Sequence, residues 1–127
     1  MTRNAHILLV EDEPPMVRLI KYNLEKEGYI FYSVSNGKEA LAFCQNNPVD
    51  LIISDVAMPE MDGYELREHL IESEELKNIP FIFLTAKAQR EDQLRGLSLG
   101  VDQFLTKPFE PDFLLMTIAR ILNRSDR

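Results

Sequence analysis

The chain of 127 residues has no tryptophan, one cysteine and two histidines, and its acidic residues outnumber its basic ones 21 to 14. Each shortage removes a class of function. Cys44 has no second cysteine to pair with, so no internal disulfide forms. Beside Ala42 and Phe43 in a stretch of helical period, it reads as a buried, inert thiol. His6 and His69 lack metal-ligand companions and are assigned no function. A net charge of −7 argues against broad affinity for nucleic acid or anionic membrane. No apolar run is long enough to span a bilayer, and no early apolar run ends in a cleavage site, so a cytoplasmic address is expected.

What is present is an alternation. Short apolar runs, "HILLV" (6 to 10), "YIFYSV" (29 to 34), "LIIS" (51 to 54), "FIFLT" (81 to 85) and "QFLT" (103 to 106), alternate with longer stretches of helical period. Strands that read as continuous apolar runs are covered on both faces, as in a parallel sheet with helical crossovers. Punctuation supports the helices. Pro14 and Pro15 open the first and Gly28 closes it; Asn36 and Gly37 open the second and Pro48 ends it. Gly63 precedes the third, Gly100 ends the fourth, and Pro111 opens a fifth that runs to about Asn123. The expectation is one α/β domain, a doubly wound five-stranded parallel sheet of the flavodoxin-like (βα)5 kind, with strand order 2-1-3-4-5.

In such sheets ligands sit outside the carboxyl ends of the strands. Polar residues gather there: Glu11, Asp12 and Glu13 after strand one, Asp55 after strand three, Thr85 at the end of strand four, Lys107 after strand five. A carboxylate at the mouth of a core loses hydration, which is costly unless cations or donors replace the water. Acids converging from strands one and three therefore call for a hard divalent cation. Magnesium suits an open site of two or three acids and leaves positions for phosphate oxygens. Lys107 and Thr85, placed beyond Asp55, offer a point charge and a hydroxyl to a transferred phosphoryl group, with Asp55 as its acceptor. Taken alone, the acids before Pro14 also read as a cap for the first helix.

The pieces "LLVEDE", "LIISDVAMPEMDG", "FLTAK" and "FLTKPF", in this order, make residues 5 to about 123 resemble the receiver domain of two-component response regulators. The resemblance implies that Asp55 accepts a phosphoryl group from the phosphohistidine of a sensor histidine kinase, from a phosphotransfer protein or from a small phosphodonor. It implies Mg²⁺, with Mn²⁺ as a substitute, held by Asp12, Asp55 and the backbone carbonyl of Ala57, with Glu11 acting through water. Lys107 pairs with Asp55 and then with the phosphoryl group, and its bond to Pro108 is expected to be cis. The resemblance further implies that Thr85 is the switch hydroxyl, that Ala86 leaves the phosphoryl group room, that Phe104 is the switch aromatic, and that the output surface is the fourth helix, fifth strand and fifth helix. On this reading the chain is a single receiver domain over residues 1 to 127 without an effector domain, a signalling domain that catalyses only its own phosphotransfer and autodephosphorylation.

Two other classes share the architecture. Hydrolases with an aspartate nucleophile and magnesium carry a second acid two residues after the first, where this chain has Ala57. A flavin or nucleotide binder wants a glycine- or hydroxyl-rich loop after strand one, whereas "EDEPPM" repels phosphate unless a metal intervenes. A receiver cut from a longer transcriptional regulator fits the same residues. On the fifth helix, residues 114, 115, 118, 121 and 122 supply a buried stripe, leaving the apolar Phe113 and Met116 facing partly outward. That pair suggests a hydrophobic contact with another copy or with a partner.

Overall fold

The apolar runs form five parallel strands, all ten elements alternate, and the computed structural model describes residues 4–86 and 90–125. The strands are β1 (His6–Val10), β2 (Ile30–Val34), β3 (Leu51–Ser54), β4 (Phe81–Thr85) and β5 (Gln103–Thr106). The helices are α1 (Pro14–Lys26), α2 (Gly37–Asn46), α3 (Gly63–Ile71), α4 (Arg90–Ser98) and α5 (Pro111–Ser125). Strand order is β2-β1-β3-β4-β5, the flavodoxin-like arrangement expected from the alternation. β3 and β4 are buried at every residue and β1 at all but His6, as two-sided cover by helices demands. β2, at one edge, is more exposed, and it starts at Ile30 because Tyr29 turns into the core after the Gly28 turn.

One face of the sheet packs Ile7, Leu9, Ile53, Ile82 and Leu84 against α1 and α5 through Ile20, Leu24, Leu114 and Ile118. The other packs Leu8, Val10, Ile52, Phe81 and Phe83 against α2 and α3 through Ala40, Leu66 and Leu70. Cys44 lies in this second cluster, and burial pushes its thiol up to about 11, in keeping with an inert side chain. No helix among the described residues is long and apolar enough to cross a membrane.

Helix starts place the loops that matter. Asp62 and Glu65 form a reciprocal capping box on α3, and Asn36 caps α2 by accepting from the Glu39 amide at 2.8 Å. α1 starts with proline in its first turn, yet Glu13 at its cap position makes no side-chain capping bond and no acid lies in that turn. Glu13 therefore does not cap α1 through its own side chain, although Glu11 Oε2 accepts from the Glu13 amide at 3.3 Å.

Candidate functional site

Three backbone bonds carry the ladder one residue past the strand ends and set the rim. The amide of Glu11 donates to the Val34 carbonyl at 3.0 Å, that of Asp55 to Val10 at 3.0 Å, and that of Lys107 to Thr85 at 2.9 Å. Val10 is level with Ser54 and Thr85 with Thr106, while Ser54 is level with Phe83, so β4 and β5 run two residues further at the same rim than β1 and β3. Asp55 and Glu11 are 8% and 2% exposed, whereas Asp12 is open to solvent. Carboxylate oxygens of Glu11, Asp12 and Asp55 lie within 4.8 Å of one another. Unneutralised, charges at that distance repel strongly in a partly desolvated setting.

Lys107 supplies the neutralisation. Its Nζ donates to Glu11 Oε1 at 2.8 Å, to Asp55 Oδ2 at 3.1 Å and to Glu13 Oε1 at 3.2 Å. The ammonium thus sits among the acids, in contact with Asp55 and nearest to Glu11, a partner the sequence reading did not name. Burial favours the neutral amine, but the hydrogen bond to Glu11 and the charges of Asp55 and Glu11 outweigh it and hold Lys107 above its usual range. Burial raises the Glu11 carboxyl, against the lowering effect of Lys107. Asp55 has one further anchor, since its Oδ1 accepts from the Val56 amide at 2.7 Å. Oδ2 thus faces the cation while Oδ1 is turned to the backbone.

The other residues singled out in the sequence stand as follows. Thr85 is buried at the end of β4, Ala86 and Ala57 are exposed, and the Lys107–Pro108 peptide bond is cis. Phe104 is half-buried, its ring 5.8 Å from Phe83 and close against Gly96 of α4, where an added Cβ would meet the ring at 3.0 Å. Phe113 and Met116 are 52% and 70% exposed on α5. His6 pairs with the Tyr32 hydroxyl at 3.0 Å and His69 is exposed; neither approaches the rim. Sequence reasoning noted Glu13 but missed its bond to Lys107, and it missed Glu60, whose carboxylate receives the Asn36 amide at 3.1 Å. A third acid before Pro14 was the available signal for the first; nothing local signalled the second.

A family model, the response regulator receiver domain, matches residues 7–119. The chain belongs to that family. Its relatives include the alkaline phosphatase synthesis transcriptional regulatory protein PhoP of Bacillus subtilis, 40% identical over 97% of this chain and 50% of that protein. Among solved structures, the receiver domain of a signal transduction histidine kinase from Syntrophus aciditrophicus is 42% identical, with a TM-score of 0.90 over 97% of this chain and 93% of that one. The chemotaxis response regulator CheY4 of Vibrio cholerae is 34% identical, with a TM-score of 0.85 over 92% and 98%. This receiver spans about half the length of the curated relatives it matches. The hydrolase and nucleotide-binder readings give way to a two-component signalling domain whose acidic cluster, Glu11, Asp12 and Asp55, could hold a metal ion. The donors fit a hard cation: all are oxygens, and a cation, the Lys107 ammonium, already occupies bonding distance of two of them.

Proposed function

We propose that Asp55 is the phosphoryl acceptor of a Mg²⁺-dependent switch, phosphorylated by a sensor histidine kinase or phosphotransfer protein in the cytoplasm. The observation that carries the reading is the convergence of the Glu11, Asp12 and Asp55 carboxylates, with the Lys107 ammonium bonded to Glu11 and Asp55. Asp12 and Asp55, the Ala57 carbonyl and a water held by Glu11 would bind Mg²⁺, or Mn²⁺ in its place. The bound ion would neutralise charge on the acids and on the phosphoryl oxygens.

Asp55 Oδ2 attacks phosphorus, the O–P bond forms as the P–N bond of the phosphohistidine breaks, and the released imidazole takes up a proton. Such a transfer needs positioning and charge neutralisation more than a general acid or base. Lys107 leaves Glu11 and Glu13 for a phosphoryl oxygen. Thr85 closes on another, for which Ala86 leaves room, and Phe104 turns inward with it. The new oxygens reward only the conformer that brings Thr85 close, so the equilibrium shifts. Output then passes through α4, β5 and α5, where Phe113 and Met116 offer an apolar contact to a second copy or a partner. On this reading the receiver domain catalyses only its own phosphotransfer and autodephosphorylation.

Incubation with acetyl phosphate and Mg²⁺ tests it by intact mass. A magnesium-dependent gain of one phosphoryl group that is lost in Asp55→Asn is expected, and an unchanged mass in the wild type would overturn the reading.

A further inference from the structure

Glu60 has a backbone φ of +66°, and it shares that conformation with no other non-glycine residue among the described residues except Asn4 at the chain start. A side chain with a Cβ is strained there. Glu60 lies in the loop of residues 55–62, between the acceptor strand and α3, and the same loop contains Ala57. Within the loop the Met61 amide donates to the Pro59 carbonyl at 2.8 Å across Glu60, and contacts from α2 add to that turn. The Asn36 side chain is buried and used at both ends: Oδ1 caps α2 by accepting from Glu39 N, and Nδ2 donates to Glu60 Oε2 at 3.1 Å. One step on, the Gly37 amide donates to the Met61 carbonyl at 3.2 Å. A Cβ on Gly37 would stand 2.8 Å from that carbonyl, so this approach of helix to loop requires glycine. Within the loop, Gly63 N to Val56 O closes the turn at 2.8 Å.

We infer that Asn36 and Glu60 are positioning residues: the N-terminus of α2 clasps the loop after Asp55 and thereby holds the backbone around Ala57 in the conformation that binds the metal. This rests on the reading of the site given above and extends it to a helix that contributes no ligand. Its physical content is preorganisation. A backbone carbonyl ligand cannot be recruited by a rotamer change; only the loop that bears it can set its place, and partners that orient a ligand control affinity without touching the ion.

The cap and the clasp can be separated chemically. Asn36→Asp keeps an oxygen for the Glu39 amide, since aspartate caps helices as well as asparagine does, but turns a carboxylate toward Glu60. In the double variant with Glu60→Gln, the glutamine amide can donate to the new carboxylate, restoring the clasp with donor and acceptor exchanged at unchanged net charge. Mg²⁺ affinity of the full chain is measured by titration, with no phosphodonor present, alongside amide hydrogen exchange over residues 56–62.

For Asn36→Asp, Mg²⁺ binding should weaken by about tenfold, the lower range for groups that orient a ligand. Exchange over 56–62 should accelerate, and the melting temperature should stay close to that of the wild type. The sign discriminates, because an added negative charge near a cation site would by itself tighten binding. The double variant should return to within about twofold of wild type. Wild type binding Mg²⁺ while Asn36→Asp binds it equally or more tightly would overturn the clasp and leave the metal site standing. Failure of the wild type to bind Mg²⁺ would overturn both.

Discussion

Two cationic side chains are drawn into this receiver, at opposite rims of one sheet. At the carboxyl rim, Lys107 sits among three carboxylates. At the amino rim, Arg67 of α3 is 6% exposed, donates from Nε to the Leu99 carbonyl at 2.9 Å and from Nη2 to Gly100 at 3.1 Å, and lies 5.6 Å from the Phe81 ring centroid. Its Nη1 is buried without a hydrogen-bond partner among the described residues. Burial disfavours both charges, but the outcomes diverge. Lys107 ends above its usual range because anions outweigh desolvation, whereas Arg67 ends below its own, with only the charge of Asp102 opposing burial. A guanidinium fork bonded to two carbonyls after α4 has fixed geometry and serves as a cap for that helix end. An ammonium among several acids has interchangeable partners of similar distance. The first arrangement holds a helix; the second can hand its charge to a new anion without first breaking the fold.

The sharpest way to break this contrast is to remove each cation and read the metal site. Lys107→Ala should slow phosphoryl uptake from acetyl phosphate by about 100-fold, the scale for losing one preorganised charge at a transition state. Its Mg²⁺ affinity should be no weaker than that of the wild type, since the ammonium competes for Glu11 and Asp55. If affinity fell together with the rate, Lys107 would be a structural cation after all and the contrast would collapse. Arg67→Met should do the reverse. Loss of two charge-assisted bonds to the end of α4, offset in part by relief of the buried charge, should cost about 2 kcal/mol of stability in denaturant unfolding, with Mg²⁺ affinity unchanged. A metal affinity that followed the stability loss would show that the two rims are not independent.

The contrast also explains what could be read from residue order. Strands such as "FIFLT" and "LIIS" announce themselves because a buried parallel strand is apolar on both faces, and Asp55 stands out as the first charge after one. Phe113 and Met116 followed from helical period alone. Arg67 was invisible. Within "GYELREHLI" it reads as part of a solvated face, and its burial depends on carbonyls of a turn more than 30 residues away, where Gly100 takes a φ of +72°. The bonds of Lys107 to Glu11 and Glu13, and of Asn36 to Glu60, are long-range in the same way; composition names the participants but only the register of the sheet pairs them.

Acidity offers the gentlest test of the same contrast. Burial raises Glu11 above its unfolded value while Lys107 lowers it, so the folded form of this carboxyl binds its proton more tightly than the unfolded form. Stability from such a group is fully present below the unfolded pKa and declines as pH rises through the folded one. Removing the ammonium in Lys107→Met leaves burial unopposed and widens that window upward from the ordinary carboxylate range. The deficit of Lys107→Met relative to wild type should therefore shrink as pH falls from about 7.5 to about 5. Lys107 itself adds no slope there, since its own contribution is lost only above the ordinary lysine range. Arg67→Met, whose lost hydrogen bonds run to carbonyls, should show a deficit that is flat across the same interval in urea unfolding. Parallel pH profiles for the two variants would mean that the acids around Lys107 do not feel its charge, and the neutralisation argued for Asp55 and Glu11 would lose its basis.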